Sequence, residues 1–152
     1  MERRASGADA RRSWGMGLQV TIRPWGKRDG DAVQGLLWLL ASESVVLDGD
    51  APTYVAEVDG QVVGMVTVCV FTTLTGKKAY LDHLVVAGDW RRRGVARRLM
   101  RHAIAVATSA GASRLELTAS AEKVAAQALY DSLGFQRRNT GSFRLPLAPI
   151  GR

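Results

Sequence analysis

The chain has 152 residues, of which 47% are hydrophobic and 23% charged, and this composition is typical of a single globular domain. Its net charge of +7 favours a partner that carries phosphate or another anion, such as nucleic acid, an anionic membrane surface or a phosphorylated ligand. The one cysteine, Cys69, excludes an internal disulfide, and no apolar run approaches the roughly 20 residues of a transmembrane helix. We therefore expect a cytoplasmic protein without a bound metal or a membrane partner.

Residues 1–17 are rich in Arg, Gly, Ala and Ser, and we interpret them as a flexible extension. The domain proper is predicted at 18–147, followed by a loose tail at 148–152. Apolar spacing predicts these elements in the first half: a strand at 18–23, a helix capped by Asp29 or Asp31, two strands at 53–58 and 62–71 joined by an Asp59-Gly60 hairpin turn, and a strand at 79–86.

In the second half the apolar period becomes helical. The pattern predicts a helix at 94–108 that Gly111 ends, a strand at 114–118, a helix from a Ser120 cap to Leu133, and a last pair of strands at 135–138 and 142–147. This order predicts an α/β fold with a sheet of mixed direction and at least one parallel crossover around 94–108.

The densest chemical signal lies between the strand that ends at Val86 and the helix that begins at Gly94. Backbone N–H groups at a helix start bind anions, and small residues at 94 and 96 let a phosphate approach closely. A P-loop is excluded because its Gly-Lys-Ser/Thr end is absent here. The dinucleotide-binding fingerprint is excluded because its third glycine is missing. An arginine-rich solvated helix start, or a nucleic-acid patch, is the alternative interpretation.

Two motifs resemble those of the GCN5-related N-acetyltransferases. Arg91-x-x-Gly94-x-Ala96 matches the first signature of that family, and the segment from Ala126 through Leu129-Tyr130 to Gly134-Phe135 resembles its second. The resemblance covers nearly all of the chain between 18 and 147. It implies a single α/β domain with a mixed, mostly antiparallel twisted sheet of six to seven strands flanked by helices.

The resemblance also implies acetyl-CoA, or a related acyl-CoA, as the donor. The backbone of the strand would pair with the pantetheine arm, and backbone N–H groups at the helix start would hold the pyrophosphate. The residues so implied are Leu84, Val85 and Val86 on the strand, and Arg91, Arg92, Arg93, Gly94, Val95, Ala96 and Arg97 at the helix start. Lys123 stands where the family often has Asn, so it would reach a phosphate or the acceptor instead.

Transfer of an acetyl group to an amine needs a base for the amine, a donor to the thioester carbonyl and an acid for the thiolate. The resemblance assigns the acid to Tyr130, and the backbone N–H of Val85 or Val86 would polarise the carbonyl. Asp82 is the expected base. A carboxylate on a mostly buried strand is energetically unfavourable, so its presence there suggests a functional role. By alternation His83 would point to the opposite face, and it remains a second candidate, as does a chain of water molecules.

The acceptor is predicted to be a primary amine. In the family, the acceptor pocket corresponds here to 38–50, 71–75 and 139–143, and Glu43, Asp48 and Asp50 would suit a cationic amine. A small-molecule amine and a protein lysine or N-terminus both remain candidates. A non-catalytic acyl-CoA-binding protein and a basic nucleic-acid-binding module are the alternatives, and the sequence allows a homodimer without requiring one.

Overall fold

The computed structural model describes residues 18–41 and 47–148. The extension predicted at 1–17 and most of the tail predicted at 148–152 lie outside these residues, as does Glu43. The described residues divide into two compact units, of which the first ends at Leu117 and the second begins at Thr118.

The first unit is built on a five-stranded sheet in the order β1-β2-β3-β4-β5. Strands β1 to β4 pair antiparallel, and β5 pairs parallel with β4. Its elements are β1 (Thr21–Pro24), a 3₁₀ turn (Lys27–Asp29), α1 (Gly30–Ala41), β2 (Thr53–Val58), β3 (Gln61–Thr73), β4 (Gly76–Val86), a second 3₁₀ turn (Gly88–Trp90), α2 (Val95–Ser109) and β5 (Leu115–Glu116). The parallel crossover predicted around α2 is confirmed.

The hairpin between β2 and β3 turns at Asp59-Gly60, as predicted. Asp59 has φ of 50° and Gly60 of 79°, the pair of left-handed residues that a tight two-residue hairpin requires. Aspartate tolerates this region better than most residues and glycine adopts it freely, so the local sequence itself defines the turn.

Helices α1 and α2 cover opposite faces of the sheet. On one face, Val33 and Leu36 of α1 form a buried cluster with Val55, Met65 and Val85 of the strands. On the other face, α2 buries a stripe at the spacing expected of an amphipathic helix, made of Val95, Leu99, Met100, Ala103 and Ala107. The face covered by α1 continues past this cluster to more polar residues.

The second unit contains one helix, α3 (Val124–Ser132), followed by Gly134 in the left-handed region with φ of 91°. Gly134 ends the helix as predicted. The predicted start was wrong: the helix begins at Val124 after Lys123, and Ser120 instead accepts bonds through its carbonyl from the Lys123 N–H and the Gln127 side chain.

The predicted count of six to seven strands was also wrong. Residues 135–148 contain no strand, and the strand predicted at 114–118 extends only over Leu115–Glu116, so the described residues have five. The segment 142–147 has the alternating apolar pattern of a strand, but Phe143, Leu145 and Leu147 are all largely exposed. A strand needs a paired neighbour as well as a favourable pattern, and the pattern alone does not supply one.

Candidate active site

A β-bulge in β4 shapes the centre of the candidate site. Thr67 of β3 lies opposite Asp82 and Met65 opposite Val85, so His83 and Leu84 together face the single residue Val66. His83 has φ of 50°, a left-handed backbone that a non-glycine residue seldom adopts. The extra residue rotates the chain here and breaks the alternation of side chains along the strand.

Asp82 lies beside this bulge with its side chain 56% exposed. One carboxylate oxygen, Oδ1, accepts the backbone N–H of His83 at 2.8 Å, and the other, Oδ2, lies 3.7 Å from His83 Nε2. Asp82 was predicted on a mostly buried strand, but its own side chain is exposed. More than half of the side chain is exposed, so the carboxylate is accessible to an incoming group.

The prediction that His83 points away from Asp82 was wrong. Its Nδ1 lies 3.2 Å from the hydroxyl of Thr67, and that hydroxyl lies 2.7 Å from the hydroxyl of Thr53 on β2. Thr67 is paired directly with Asp82 across the strands, and residues so paired share one face of the sheet. The left-handed backbone of His83 thus returns its imidazole to the Asp82 face.

Strand β4 separates from β5 close to this site. In the ladder between them, Ala79 pairs with Leu115 and Tyr80 pairs with Glu116. Among the described residues, no strand continues this ladder towards Val86. Leu84 is half-buried, while Val85 and Val86 are buried against the core. The predicted cofactor strand therefore has one edge that no neighbouring strand of the described chain occupies.

The arginine-rich turn follows directly after β4. Arg91 donates through Nε to the carbonyl of Val86 at 3.3 Å, and the Arg93 guanidinium lies 5.0 Å from the centre of the Trp90 ring. Arg92 has φ of 61° and is exposed, like its two arginine neighbours. These contacts keep two of the arginine side chains close to the end of the strand.

Gly94 forms the N-terminal cap of α2, with φ of 80° and no side chain to satisfy the first turn. A Cβ atom at Gly94 would meet no heavy atom of residues 18–41 or 47–148 within 4 Å, so the described structure leaves the space above Gly94 open. Val95 is buried, whereas Ala96 and Arg97 are half-buried. Since the first turn of any helix has N–H groups without intrahelical partners, this turn offers an anion several donors beside open space.

Tyr130 and Lys123 belong to the second unit. The Tyr130 ring lies 5.9 Å from that of Phe135, and burial raises the pKa of its phenol above the usual value. Its carbonyl accepts the Phe135 N–H at 3.1 Å, which ties the end of α3 to the residues after Gly134. Lys123 is exposed at the start of α3.

Cys69 is half-buried on β3, opposite Tyr80. Burial raises the pKa of its thiol, and the nearby negative charge of Asp82 raises that pKa further. A thiol held in its protonated form is a weak nucleophile, so we interpret Cys69 as a small packed side chain rather than a catalytic one.

The described part of the predicted acceptor region joins the site through β2. Asp48 and Asp50 are exposed in the loop before β2, where the Asp50 N–H donates to Asp48 Oδ1 at 2.9 Å. The Trp25 indole fastens the same loop by donating to the Ala51 carbonyl at 3.1 Å. Phe71, from the other predicted acceptor segment of the first unit, is 46% exposed at the end of β3.

Thr53 and Thr67 were not predicted as site residues. Threonine is an ordinary residue of strands, and nothing in either segment distinguishes these two from a residue chosen for its β-branched shape. The signal appears only with the strand register, which brings the two hydroxyls together opposite Asp82.

Solved acetyltransferase structures share this fold. The ribosomal-protein-alanine N-acetyltransferase of Brucella melitensis biovar Abortus superposes with a TM-score of 0.71 at 25% identity, over 86% of this chain and 100% of that one. The aminoglycoside N-acetyltransferase AAC(6')-Iy in complex with CoA superposes with a TM-score of 0.72 at 20% identity, over 88% and 99%. The fold is that of an acetyltransferase.

The profile of the acetyltransferase (GNAT) family matches residues 16–135, and the chain belongs to this family. Among curated proteins, N-acetyltransferase family 8 member 3 of Rattus norvegicus is 40% identical over 92 residues, which are 59% of this chain and 40% of the rat protein. The chain thus spans less than half the length of this relative. No helix among the described residues is long and apolar enough to cross a membrane.

Proposed function

We propose that this chain transfers an acetyl group from acetyl-CoA to a primary amine by direct attack within a ternary complex. The observation that carries the proposal is the open, arginine-rich turn that joins the unpaired edge of β4 to the start of α2. Arg92 and Gly94 are both left-handed there, and the space above Gly94 is open. In a member of the GNAT family, this arrangement suits a donor that carries a diphosphate and an extended arm.

The cofactor would be held mainly by backbone groups. The N–H groups from Arg92 to Arg97 would hold the pyrophosphate, and the exposed arginines around them would balance its charge. The free edge of Leu84–Val86 would pair with the arm in the manner of an added strand. When bound, acetyl-CoA supplies an acyl group activated as a thioester.

Asp82 is the proposed base. Its carboxylate is solvent-accessible and held by the His83 N–H, so it can take a proton from the acceptor amine as the nitrogen attacks. The backbone N–H of Val85 or Val86 would polarise the thioester carbonyl, where negative charge develops. The nitrogen–carbon bond forms and the carbon–sulfur bond breaks.

Tyr130 is the proposed acid, on the strength of its position in the family's second motif. Because burial raises its pKa, the phenol is protonated at neutral pH and can donate to a departing thiolate. The proton lost by Tyr130 is recovered from solvent after the product leaves.

For the acceptor we propose a small cationic amine ahead of a protein amine. Asp82 is an exposed carboxylate paired with Thr67, and Asp48 and Asp50 are exposed in the loop that leads into β2 at Thr53. Acidic groups there would attract a protonated amine before it loses its proton. Solved structures that share this fold include both an aminoglycoside N-acetyltransferase and a ribosomal-protein-alanine N-acetyltransferase, so both kinds of acceptor belong in the test.

The test combines thiol release with CoA binding. Thiol release from acetyl-CoA is followed across aminoglycosides, polyamines and lysine peptides, and we expect saturable turnover with at least one class. CoA affinity is measured separately by calorimetry. Binding without turnover on any amine would instead indicate an acyl-CoA-binding protein, and salt-sensitive DNA binding without CoA affinity would indicate a nucleic-acid module.

A matched pair of glycines tests the phosphate turn. Gly94 and Gly111 flank α2, both have φ of 80°, and a Cβ at either would meet no heavy atom within 4 Å. Substitution by valine strains the backbone at both, by about 1–2 kcal/mol. We expect Gly94→Val to weaken CoA binding about tenfold or more and Gly111→Val to leave it unchanged; equal CoA affinities in the two variants would refute the phosphate turn.

A further inference from the structure

A chain of four polar side chains crosses three strands and ends at Asp82. The hydroxyls of Thr53 and Thr67 are 2.7 Å apart, Thr67 Oγ1 is 3.2 Å from His83 Nδ1, and His83 Nε2 is 3.7 Å from Asp82 Oδ2. The two threonines are 7% and 6% exposed, whereas the histidine and aspartate are about half exposed. The chain therefore runs from the buried sheet to an accessible carboxylate.

The chemistry of the end groups sets the direction of the hydrogen bonds. An ionised carboxylate only accepts, so the ring nitrogen facing Asp82 is best protonated, which places the proton of neutral His83 on Nε2. Nδ1 is then an acceptor, and the Thr67 hydroxyl donates to it. The oxygen of Thr67 can in turn accept the hydroxyl of Thr53, so each hydrogen serves one bond.

The backbone of β4 is distorted where the imidazole joins this chain. His83 has φ of 50°, a conformation that is unfavourable for a residue with a side chain. The bulge over His83 and Leu84 turns the imidazole towards Thr67, where regular alternation would turn it away. Both threonine hydroxyls are buried, and a buried polar group needs a hydrogen-bond partner. Thr53 and Thr67 are partners of each other, and Thr67 also contacts His83.

We propose that Thr67, supported by Thr53, is a positioning residue that fixes His83 as the Nε2–H tautomer facing Asp82. The backbone N–H of His83 donates to Asp82 Oδ1, and Nε2–H then faces Oδ2 at 3.7 Å, an electrostatic contact longer than a hydrogen bond. Together these two contacts hold the proposed base in one orientation towards the acceptor amine. This inference rests on the proposed function, in which Asp82 takes the proton from that amine.

The tautomer is measured without substrate. The chain has two histidines, His83 and His102, so a sample labelled with ¹⁵N-histidine shows two imidazoles, and His83→Asn identifies which signals are which. At pH 8 we expect the neutral form of His83 to carry its proton on Nε2. Thr67→Val should give His83 a mixture of tautomers, Thr67→Ser should keep the wild-type spectrum, and His102 should be unaffected in both.

The kinetic arm uses the same variants. Valine keeps the shape of threonine and removes the hydroxyl, whereas serine keeps the hydroxyl. We expect Thr67→Val to lower kcat for acetyl transfer by roughly 10- to 100-fold with little change in KM for acetyl-CoA, since a displaced base slows the chemical step. Thr67→Ser should retain most of the kcat, and Thr53→Val should have a smaller effect than Thr67→Val.

The outcomes separate this inference from the proposed function. A wild-type His83 protonated on Nδ1 overturns the inference whatever the enzyme does, and this measurement needs no threonine variant to fold. Equal loss of kcat in Thr67→Val and Thr67→Ser would also overturn it, by showing that the hydroxyl is irrelevant. The predicted tautomer in a chain that acetylates no amine would leave the side-chain arrangement intact and refute the proposed function.

Discussion

Replacing Asp29 with asparagine tests how the first strand is attached to the helix that follows it. The carboxylate is 5% exposed and accepts two bonds from the Arg23 guanidinium, at 2.7 and 2.8 Å, and one from the Gly26 N–H at 2.8 Å. Arg23 also donates through Nε to Glu57 on β2 at 2.7 Å. One carboxylate thus joins β1, the first 3₁₀ turn and, through Arg23, β2.

The pKa of Asp29 measures how strongly this network favours the ionised group. Hydrogen bonds from Arg23 lower the pKa from 3.8 to about 2, against the opposing effect of burial. At about 1.4 kcal/mol per pKa unit, the difference stabilises the fold by on the order of 2 kcal/mol. Because the folded-state pKa is the lower one, this stabilisation is complete above pH 3.8 and is lost as the pH falls towards 2.

We expect Asp29→Asn to lower the free energy of unfolding at pH 7 by about 2 to 3 kcal/mol, because the neutral amide leaves Arg23 without its bidentate partner. Urea unfolding, followed by both tryptophan fluorescence and circular dichroism, measures the difference. Asp59→Asn is the matched control: it removes the same charge from an exposed turn where asparagine tolerates the left-handed backbone. Its effect should stay within about 0.5 kcal/mol.

The pH dependence supplies the sharper criterion. The stabilities of the wild type and Asp29→Asn should converge as the pH falls from 4 to 2, since Asp29 becomes protonated in the folded wild type. A loss below about 0.5 kcal/mol at pH 7 would refute the importance of the network. A difference that stays constant down to pH 2 would show that packing, not charge, causes the effect.

Two further predictions concern the proposed acid and a buried imidazole. Tyr130→Phe should lower the rate of acetyl transfer, by about 10²-fold or more, while the Kd for acetyl-CoA measured by calorimetry stays close to the wild-type value; a parallel loss of rate and affinity would argue for a packing role. His102 packs edge-on against Tyr54 at 4.4 Å, and its buried Nε2 has no hydrogen-bond partner among the described residues. Burial lowers the pKa of His102 below the usual 6.5. Because the unfolded chain then binds the proton more readily than the folded one, stability should fall as the pH drops below about 6.5. His102→Phe should flatten the decrease in Tm between pH 7 and pH 5, with His83→Asn as the control; an unchanged slope in His102→Phe would contradict the assignment.

Features set by local sequence were predicted well. The Asp59-Gly60 turn, the strand at Thr53–Val58 and the left-handed Gly134 all appear where expected. Each depends on the backbone preferences of a few neighbouring residues, and these preferences are readable without knowing the partners. The helix after the arginine-rich turn was equally clear, because its apolar stripe repeats over four turns.

Features set by pairing were predicted poorly. The two strands expected after residue 134 have a suitable pattern but no pairing among the described residues. His83 was predicted to face away from Asp82, because strict alternation was assumed along β4. A one-residue register shift reverses the side chains that follow it, and it depends on how two distant strands are matched.

The sequence by itself determined the family and located the arginine-rich turn proposed to bind phosphate, because both depend on short motifs whose residues are neighbours along the chain. The positive charge that first suggested nucleic acid belongs in large part to this turn and to the start of α2. Only the tertiary structure decided which side chains surround Asp82. Thr53, Thr67 and His83 come together because three strands pair in one register and one of them bulges, and hydrogen bonds between residues so far apart in sequence form only once the sheet has assembled.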